Sequence, residues 1–371
     1  MKTVCGLDIH KDSVFVCILF ANGQKHEKKF GVTTPELEEM RLMMLSSNVV
    51  EVAMESTSIY WIPIWRVLEG YFELKLVNPY FIKQLPGRKS DVKDAHWIAT
   101  VLQKELIRGS YVPDERIRAL RQYGRYIFRH IRRKVTCQQA IDRQLQRCNI
   151  RISNYLSDIG GKAVEKIVDM LIEGKTACED LIKCVHTRTK KKHGMEVLKQ
   201  ALTGYVQQVD IDMLSLYKEE LNLINRQIEE ALAKMLDICK EHFSDQMDLL
   251  QTIPGIKERS AMMIISEAGH DMQPFQSAAM LVGWTGLKPR NDESAGKVKS
   301  RKITHGNKFL KVAMTQCAWA ASRTKSSIFH ARFNRFVNRK MKRQKAIIAI
   351  ARKVLVVVWY VLSQKHPFKA I

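Results

Sequence analysis

Four carboxylates and a serine are the residues of this 371-residue sequence best placed to do chemistry. Asp8 ends the first apolar segment, TVCGLDI, and Glu55 follows directly on VVEVAM. Asp91 and Asp94 stand three apart where helical periodicity begins, so they project from one helical face. Strand-end acids joined to such a pair suit two Mg2+ ions about 4 Å apart, clamping the attacking and leaving oxygens of a phosphodiester. Structural roles compete for each acid taken singly. Asp91 and Asp94 fit a capping box beside the helix dipole, and Asp8 with Asp12 fits a hairpin turn. His10 and His96 neighbour these acids and read as supporting or packing residues. Far along the chain, GLKPRNDESAGKVKSRKITHGNKFLK sets Ser294 in a turn-rich stretch followed by Lys297, Lys299, Arg301 and Lys302. A hydroxyl nucleophile needs an accessible turn and cations around the phosphate it attacks. No base is evident there, and Ser300 and Thr304 are alternative hydroxyls.

The elements that must position these groups follow from periodicity. Residues 3–9 and 13–20 (SVFVCILF) flank a polar HKD turn and read as a hairpin, with Lys25–Phe30 as a third strand. A helix over Pro35–Ser46, a strand over Val49–Met54, a helix over Ile59–Glu69 and a strand over Glu73–Val77 come next. The loop LPGRKSD then leads to a helix over Asp91–Leu106. A meander followed by alternating helix and strand predicts an α/β domain over residues 1–110.

Residues 111–250 change period. Leu120, Tyr123, Ile127, Ile131 and Val135, then Ile141, Leu145, Cys148 and Ile152, predict one stripe of a long helix. Its other faces carry arginines from Arg116 to Arg133. After the TRTKKKHG break, Leu214, Leu221, Ile228 and Met235 occupy one heptad position and Tyr217, Ile224, Ala231 and Ile238 another. That predicts a coiled-coil-like seam over Asp210–His242, on an acidic helix suited to protein contact. Residues 251–371 form the third predicted region. It opens on helical segments flanking IPGIK, which reads as a helix-hairpin-helix turn or a plain helical hairpin, with Lys257 where a second Gly would allow closest approach.

The formal charge is +23, and it is unevenly placed. Residues 251–371 hold 23 basic and 5 acidic side chains, and no carboxylate side chain follows Glu293. Repulsion of that density points to a polyanionic partner, with nucleic acid foremost. No apolar leader follows Met1, and Ala346–Leu362 is interrupted by Arg352 and Lys353, so neither secretion nor membrane spanning is expected. Eight cysteines without CxxC or zinc spacing predict reduced thiols in a cytoplasmic protein.

Taken together, GLDIHKD, ESTSIYWIPIW, LVNPYFIKQLPGRKSDVKDAHWIA, IPGIK, NDESAGK, HGNKFLK and AWAASRTK, in that order, resemble transposases of the IS-one-ten insertion-sequence family. These are the DEDD or Piv-type recombinases, and the longer members are the most similar. The resemblance implies an RNase H or RuvC-like first domain whose DEDD acids match Asp8, Glu55, Asp91 and Asp94 and bind Mg2+. It further implies a helical transposase domain with Ser294 as nucleophile, forming a 5′-phosphoserine with DNA in a composite site between protomers. A structured guide RNA and a homo-oligomer assembled through the coiled coil are the other implied partners, in a prokaryotic cytoplasm at the nucleoid. The chain departs from the family pattern at Ser56-Thr57-Ser58, at Ser90 before Asp91, and at Lys257. A RuvC-like nuclease using water and a non-catalytic nucleic-acid-binding protein are the alternatives to recombination.

Overall fold

Short apolar strands separated by polar turns, then long amphipathic helices, divide the chain into two compact units, Met1–Pro113 and Asp114–Ile371. The computed structural model describes residues 2–56, 58–78, 94–107, 109–290, 292–294, 297–300 and 302–369, with side chains at all of these except 292–294 and 297–298. In the first unit, β1 (Val4–Ile9), β2 (Val14–Leu19) and β3 (Lys25–Phe30) form an antiparallel meander. Helix α1 (Thr34–Ser46) leads to β4 (Glu51–Glu55), and α2 (Trp61–Leu68) leads to β5 (Glu73–Val77). β4 runs parallel to β1, and β5 runs parallel to β4. The order is β3-β2-β1-β4-β5, a mixed sheet whose helices supply the crossovers that parallel strands require. Pro35 and a capping pair open α1, where Thr33 N donates to Glu36 Oε2 at 3.2 Å. Asn48, at φ 51, turns the chain beyond its end.

Strand alternation splits β1 between two cores. Cys5, Leu7 and Ile9 pack with Met40 and Met44 of α1 and with Ile64 and Leu68 of α2. Val4, with Ala53 of β4 and Val77 of β5, faces Ala95, Ile98, Ala99 and Leu102 of α3 (Asp94–Gln103). Glu51 is buried at the start of β4, where hydrogen bonds from Lys2 and Lys75 at 2.6 and 2.7 Å hold its carboxyl below the usual value. β3 forms one edge of the sheet, and its residues Lys25 to Lys29 are exposed.

The second unit hangs on α4 (Glu115–Arg147), capped by Asp114, whose Oδ1 accepts from Ile117 N at 3.0 Å. Four short helices follow: α5 (Lys162–Ile172), α6 (Cys178–Leu181), α7 (Thr187–His193) and α8 (Met195–Leu202). Then α9 (Gln208–His242) returns antiparallel along α4, so that Gln144 Nε2 donates to Asp210 Oδ1 at 2.6 Å and Cys137 Sγ contacts Tyr217 O at 3.2 Å. Ile228, Ala231 and Met235 of the predicted seam are buried, and α4 of the same chain packs along α9. The predicted stripe on α4 fails at its centre. Ile131 and Val135 are exposed, while Gly124, His130 and Cys137 lie inside. The helix also stops at Arg147 rather than running to Ile152, because Asn149 adopts a left-handed φ of 60.

The remainder is α10 (Ser244–Gln251), α11 (Glu258–Ala268), α12 (Ala278–Thr285), a ribbon of β6 (Asp292–Ser294) and β7 (Lys297–Ser300), α13 (Lys308–Arg323), α14 (Ile328–Asn338) and α15 (Arg343–Gln364). By length and apolarity alone α15 could cross a membrane, so the expectation that the Arg352–Lys353 interruption disqualifies it needs a different reason. That reason is packing. Ile350, Val354, Leu355 and Val358 are buried where α15 meets α12, α13 and α14, as in the central helix of a helical core.

Candidate functional site

Two places carry the chemistry-bearing residues, one in each unit. In the first, alternation along β1 puts Gly6 and Asp8 on the α3 face. Gly6 pairs with Ala53 and Leu7 with Met54, so continuing that register by one residue brings Asp8 alongside Glu55, about 5 Å away across parallel strands. Asp94 opens α3, which packs on that same face. The height of α3 above β1 is set by a bare backbone contact. A Cβ on Gly6 would lie 2.2 Å from Ala95 O and 2.4 Å from Ala99 N. Only glycine admits this approach, and Asp94 is the residue that precedes Ala95 in that helix.

Asp8 is 7% exposed, and its Oδ2 is 3.1 Å from His10 Nε2. The His10 ring also stands edge-on to Phe15 at 5.6 Å, so His10 supports the acid as expected. His96 contributes its backbone carbonyl to Thr100 Oγ1 and is half-buried. Asp91 lies outside the described residues. Among the described residues no three His, Cys, Asp or Glu side chains converge on one ion. Asp8 and Glu55 lie near the C-terminal ends of the adjacent interior strands β1 and β4, and Asp94 lies at the start of the helix packed on the β1 face that carries Asp8.

In the second unit, Ser294 is the last residue of β6 and pairs with Lys297 of β7. Its side chain lies outside the described set. The alternative hydroxyls have other surroundings: Ser300 Oγ accepts from Lys302 N at 3.3 Å, and Thr304 Oγ1 is buried without a hydrogen-bond partner among the described residues. A stem braces the ribbon. Arg290 N donates to Lys302 O at 3.0 Å, and Thr304 N donates to Lys288 O at 2.9 Å. Beneath the stem Gly286 and Gly306 meet backbone to backbone. Gly286 has φ +76, and a Cβ on Gly306 would lie 2.4 Å from Gly286 N.

The stem is anchored by an acid that sequence reasoning passed over. Glu267, near the end of α11, is 1% exposed. Arg125 of α4 binds it through Nε and Nη2 at 2.9 and 3.0 Å, and Asn307 Nδ2 donates to it at 2.6 Å. Arg121 Nη2 donates to the Glu267 carbonyl at 2.8 Å. Asn307 also caps α13, its Oδ1 accepting from Phe309 N and Leu310 N at 3.0 Å each. One carboxylate thus joins α4, α11 and the N-terminus of α13. Arg121 and Arg125, counted in the sequence among the arginines on the other faces of this helix, are partly buried and bind Glu267. The HGNKFLK motif held the readable half of this signal, an Asn before a helical run.

The IPGIK turn joins α10 to α11, with Gly255 at φ +88. A Cβ there would lie 2.4 Å from Cys317 O and 2.6 Å from Ala321 N, so this glycine serves close packing against α13. Cations remain dense on α14 and α15, where burial, Arg332 and Arg352 together lower the pKa of Lys353.

The α/β sheet unit and the basic, mostly helical unit each meet a family model. A DEDD-type family model described as transposase matches residues 5–150, and one described as transposase IS116/IS110/IS902 family matches residues 247–334. The chain belongs to the IS110 family of transposases. Among curated proteins it is similar to the pilin gene-inverting proteins of Moraxella bovis and Moraxella lacunata, each 26% identical over 188 residues. That stretch covers 49% of this chain and 56% of each relative, so the similarity spans about half the length of the relatives.

Proposed function

We propose that the protein is a DNA recombinase that moves an insertion sequence through a phosphoserine intermediate. The observation that carries the reading is the Gly6 contact, which brings the helix that Asp94 opens close against the β1 face that carries Asp8. The strand order β3-β2-β1-β4-β5 supports an RNase H or RuvC-like first unit. Asp8, Glu55 and Asp94, with Asp91 by resemblance, would hold Mg2+. When bound, the ion supplies Lewis-acid stabilisation of charge on the transferring phosphate.

The chain's own step is a transesterification. Ser294 Oγ attacks phosphorus, the bond to the 3′ oxygen breaks, and the proton lost from Ser294 ends on that 3′ oxygen. The new serine–phosphate bond keeps the energy of the phosphodiester. A 3′ hydroxyl of the receiving strand reverses the reaction and regenerates the serine. Cations beside β7 at Lys299 and Lys302 offset charge on the phosphate. A structured guide RNA would select the DNA, and the arginines of α4 that do not bind Glu267 are the supporting feature. Self-association is supported by Val209, Leu216 and Leu223, exposed and seven apart on α9. Such a protein works in the prokaryotic cytoplasm at the nucleoid.

The test is adduct trapping. Intact protein, Mg2+, co-purified RNA and a labelled duplex spanning the end of the mobile unit should yield a covalent protein–DNA species on denaturing gels. Ser294→Ala should abolish it and Ser300→Ala should retain it, while Asp8→Asn should lose strand transfer. An adduct persisting in Ser294→Ala refutes the nucleophile. Strand cleavage without any adduct favours a nuclease that uses water.

A further inference from the structure

Asn307 has both atoms of its side-chain amide committed. As the residue before α13, it caps that helix with Oδ1, which accepts from Phe309 N and Leu310 N at 3.0 Å each. An amide whose oxygen faces two N–H groups turns its amine the other way. Here that amine donates to the enclosed carboxylate of Glu267 on α11 at 2.6 Å. The backbone N–H of Asn307 donates to Trp284 O on α12 at 3.0 Å. One residue is thus bonded to three helices at the point where the chain returns from the β6–β7 ribbon.

The ribbon is slender. Beyond Lys288, whose carbonyl accepts from Thr304 N, six residues lead to Ser294, a reach of up to roughly 20 Å at about 3.3 Å each. The bond from Arg290 N to Lys302 O and the bridge between Pro289 and Ile303 hold its two strands to each other. A lever of that length magnifies its base. A tilt of about 3° moves a point about 20 Å away by about 1 Å, and a 1 Å misplacement costs about a hundredfold in rate.

The body of α13 has other supports. It packs on α11 and α15, and the Gly255 turn closes on its middle at Cys317 and Ala321. The Asn307 amine adds a tie at the very start of the helix, beside Phe309, whose ring lies 4.7 Å from the Arg125 guanidinium and 5.0 Å from the Phe128 ring.

We propose that Asn307 is a positioning residue for the phosphoserine step. Its bond to Glu267 sets the angle at which the ribbon leaves the helical body, and through that angle the place of Ser294. The proposal rests on the reading of Ser294 as nucleophile and deepens it. Asn307→Ser separates the two duties of the side chain: serine caps a helix as well as asparagine does, and its shorter side chain withdraws the amine from Glu267.

The test follows adduct formation over time with full-length protein in excess, its co-purified RNA, Mg2+ and the labelled duplex spanning the element end. Asn307→Ser should form the adduct about tenfold or more slowly, with the parent's final amplitude and the parent's affinity for the duplex by fluorescence anisotropy. A protein that is merely less stable loses amplitude and keeps its rate constant. In hydrogen exchange without DNA, the amides of Arg290 and Thr304 should exchange faster in the variant, while those of Met314 to Ala318 within α13 stay protected. A parent-like rate overturns the proposal, as does lost amplitude at an unchanged rate or unchanged exchange at Arg290 and Thr304. Absence of any adduct from the intact parent is a different result: it overturns the phosphoserine reading, and the proposal falls with it.

Discussion

Glu267 shows how much one side chain can determine in a unit otherwise crowded with cations. It is one of only five acids in residues 251–371, and it is almost fully enclosed by Arg125, Asn307 and the end of α11. Replacing it with Ala leaves Arg125 and Asn307 without their acceptor, which for a buried pair costs on the order of 3 kcal/mol, the low end of the range because Arg125 is partly exposed. Asn307→Ala removes a helix cap and should cost about 1 kcal/mol, with a further loss from the unpaired carboxylate oxygen. Denaturant unfolding of the full chain should therefore rank Glu267→Ala well below Asn307→Ala in midpoint. Equal midpoints would mean that the carboxylate does not bridge the three helices. Sequence reading found the flanking motifs but not this acid. Its partners lie 40 and 142 residues away, and no local pattern records a contact at that range.

At the scale of elements, the packing of α3 on β1 bears directly on the proposed carboxylate site. A methyl on Gly6 would meet Ala95 O and Ala99 N, both backbone atoms that cannot rotate aside. Gly6→Ala should lift α3, lower the melting temperature and abolish Mg2+-dependent strand transfer, even though no carboxylate is touched. Thermal melts and the strand-transfer assay check it together. A variant that melts lower yet transfers strands normally would show that the height of α3 is unimportant to the chemistry. The strands themselves were legible. Asp8 and Glu55 stand where apolar alternation ends, and β5 falls on the predicted residues 73–77. Helix interiors were less so. The α4 stripe drifts because its inner face is chosen by where α9 and α11 cross it, and Gly124, with no side chain to score, marks one of those crossings, where a Cβ would lie 3.3 Å from Ser266 Oγ. The same blindness applies to Gly6, whose value lies in what it lacks.

For the whole molecule, the eight cysteines give a test of both units at once. Six are buried, and burial pushes Cys17 and Cys239 up to about 12 and Cys137 and Cys148 up to about 11. Such thiols stay protonated near neutral pH and do not react. Brief alkylation of native protein at mildly alkaline pH should modify only Cys178 and Cys184, both partly exposed, and denaturant should open the rest. Rapid labelling of Cys5 or Cys317 in native protein would contradict the packing of the first or second unit. The charge pattern was legible at this scale, because a total over residues needs no geometry. How it is used was not, since two of the arginines counted in that charge are taken up by Glu267.

The outer strand β3 has a consequence for assembly. A sheet rim is normally an invitation to a passing strand, and if copies gather on DNA as proposed, their local concentration rises. Lys25, Lys28 and Lys29 line this rim, so another copy approaching edge-to-edge would bring the same lysines against them. The rim is therefore guarded against runaway fibre growth. Crowded copies would therefore find growth of the sheet opposed on its β3 side, which leaves β5 as the other rim.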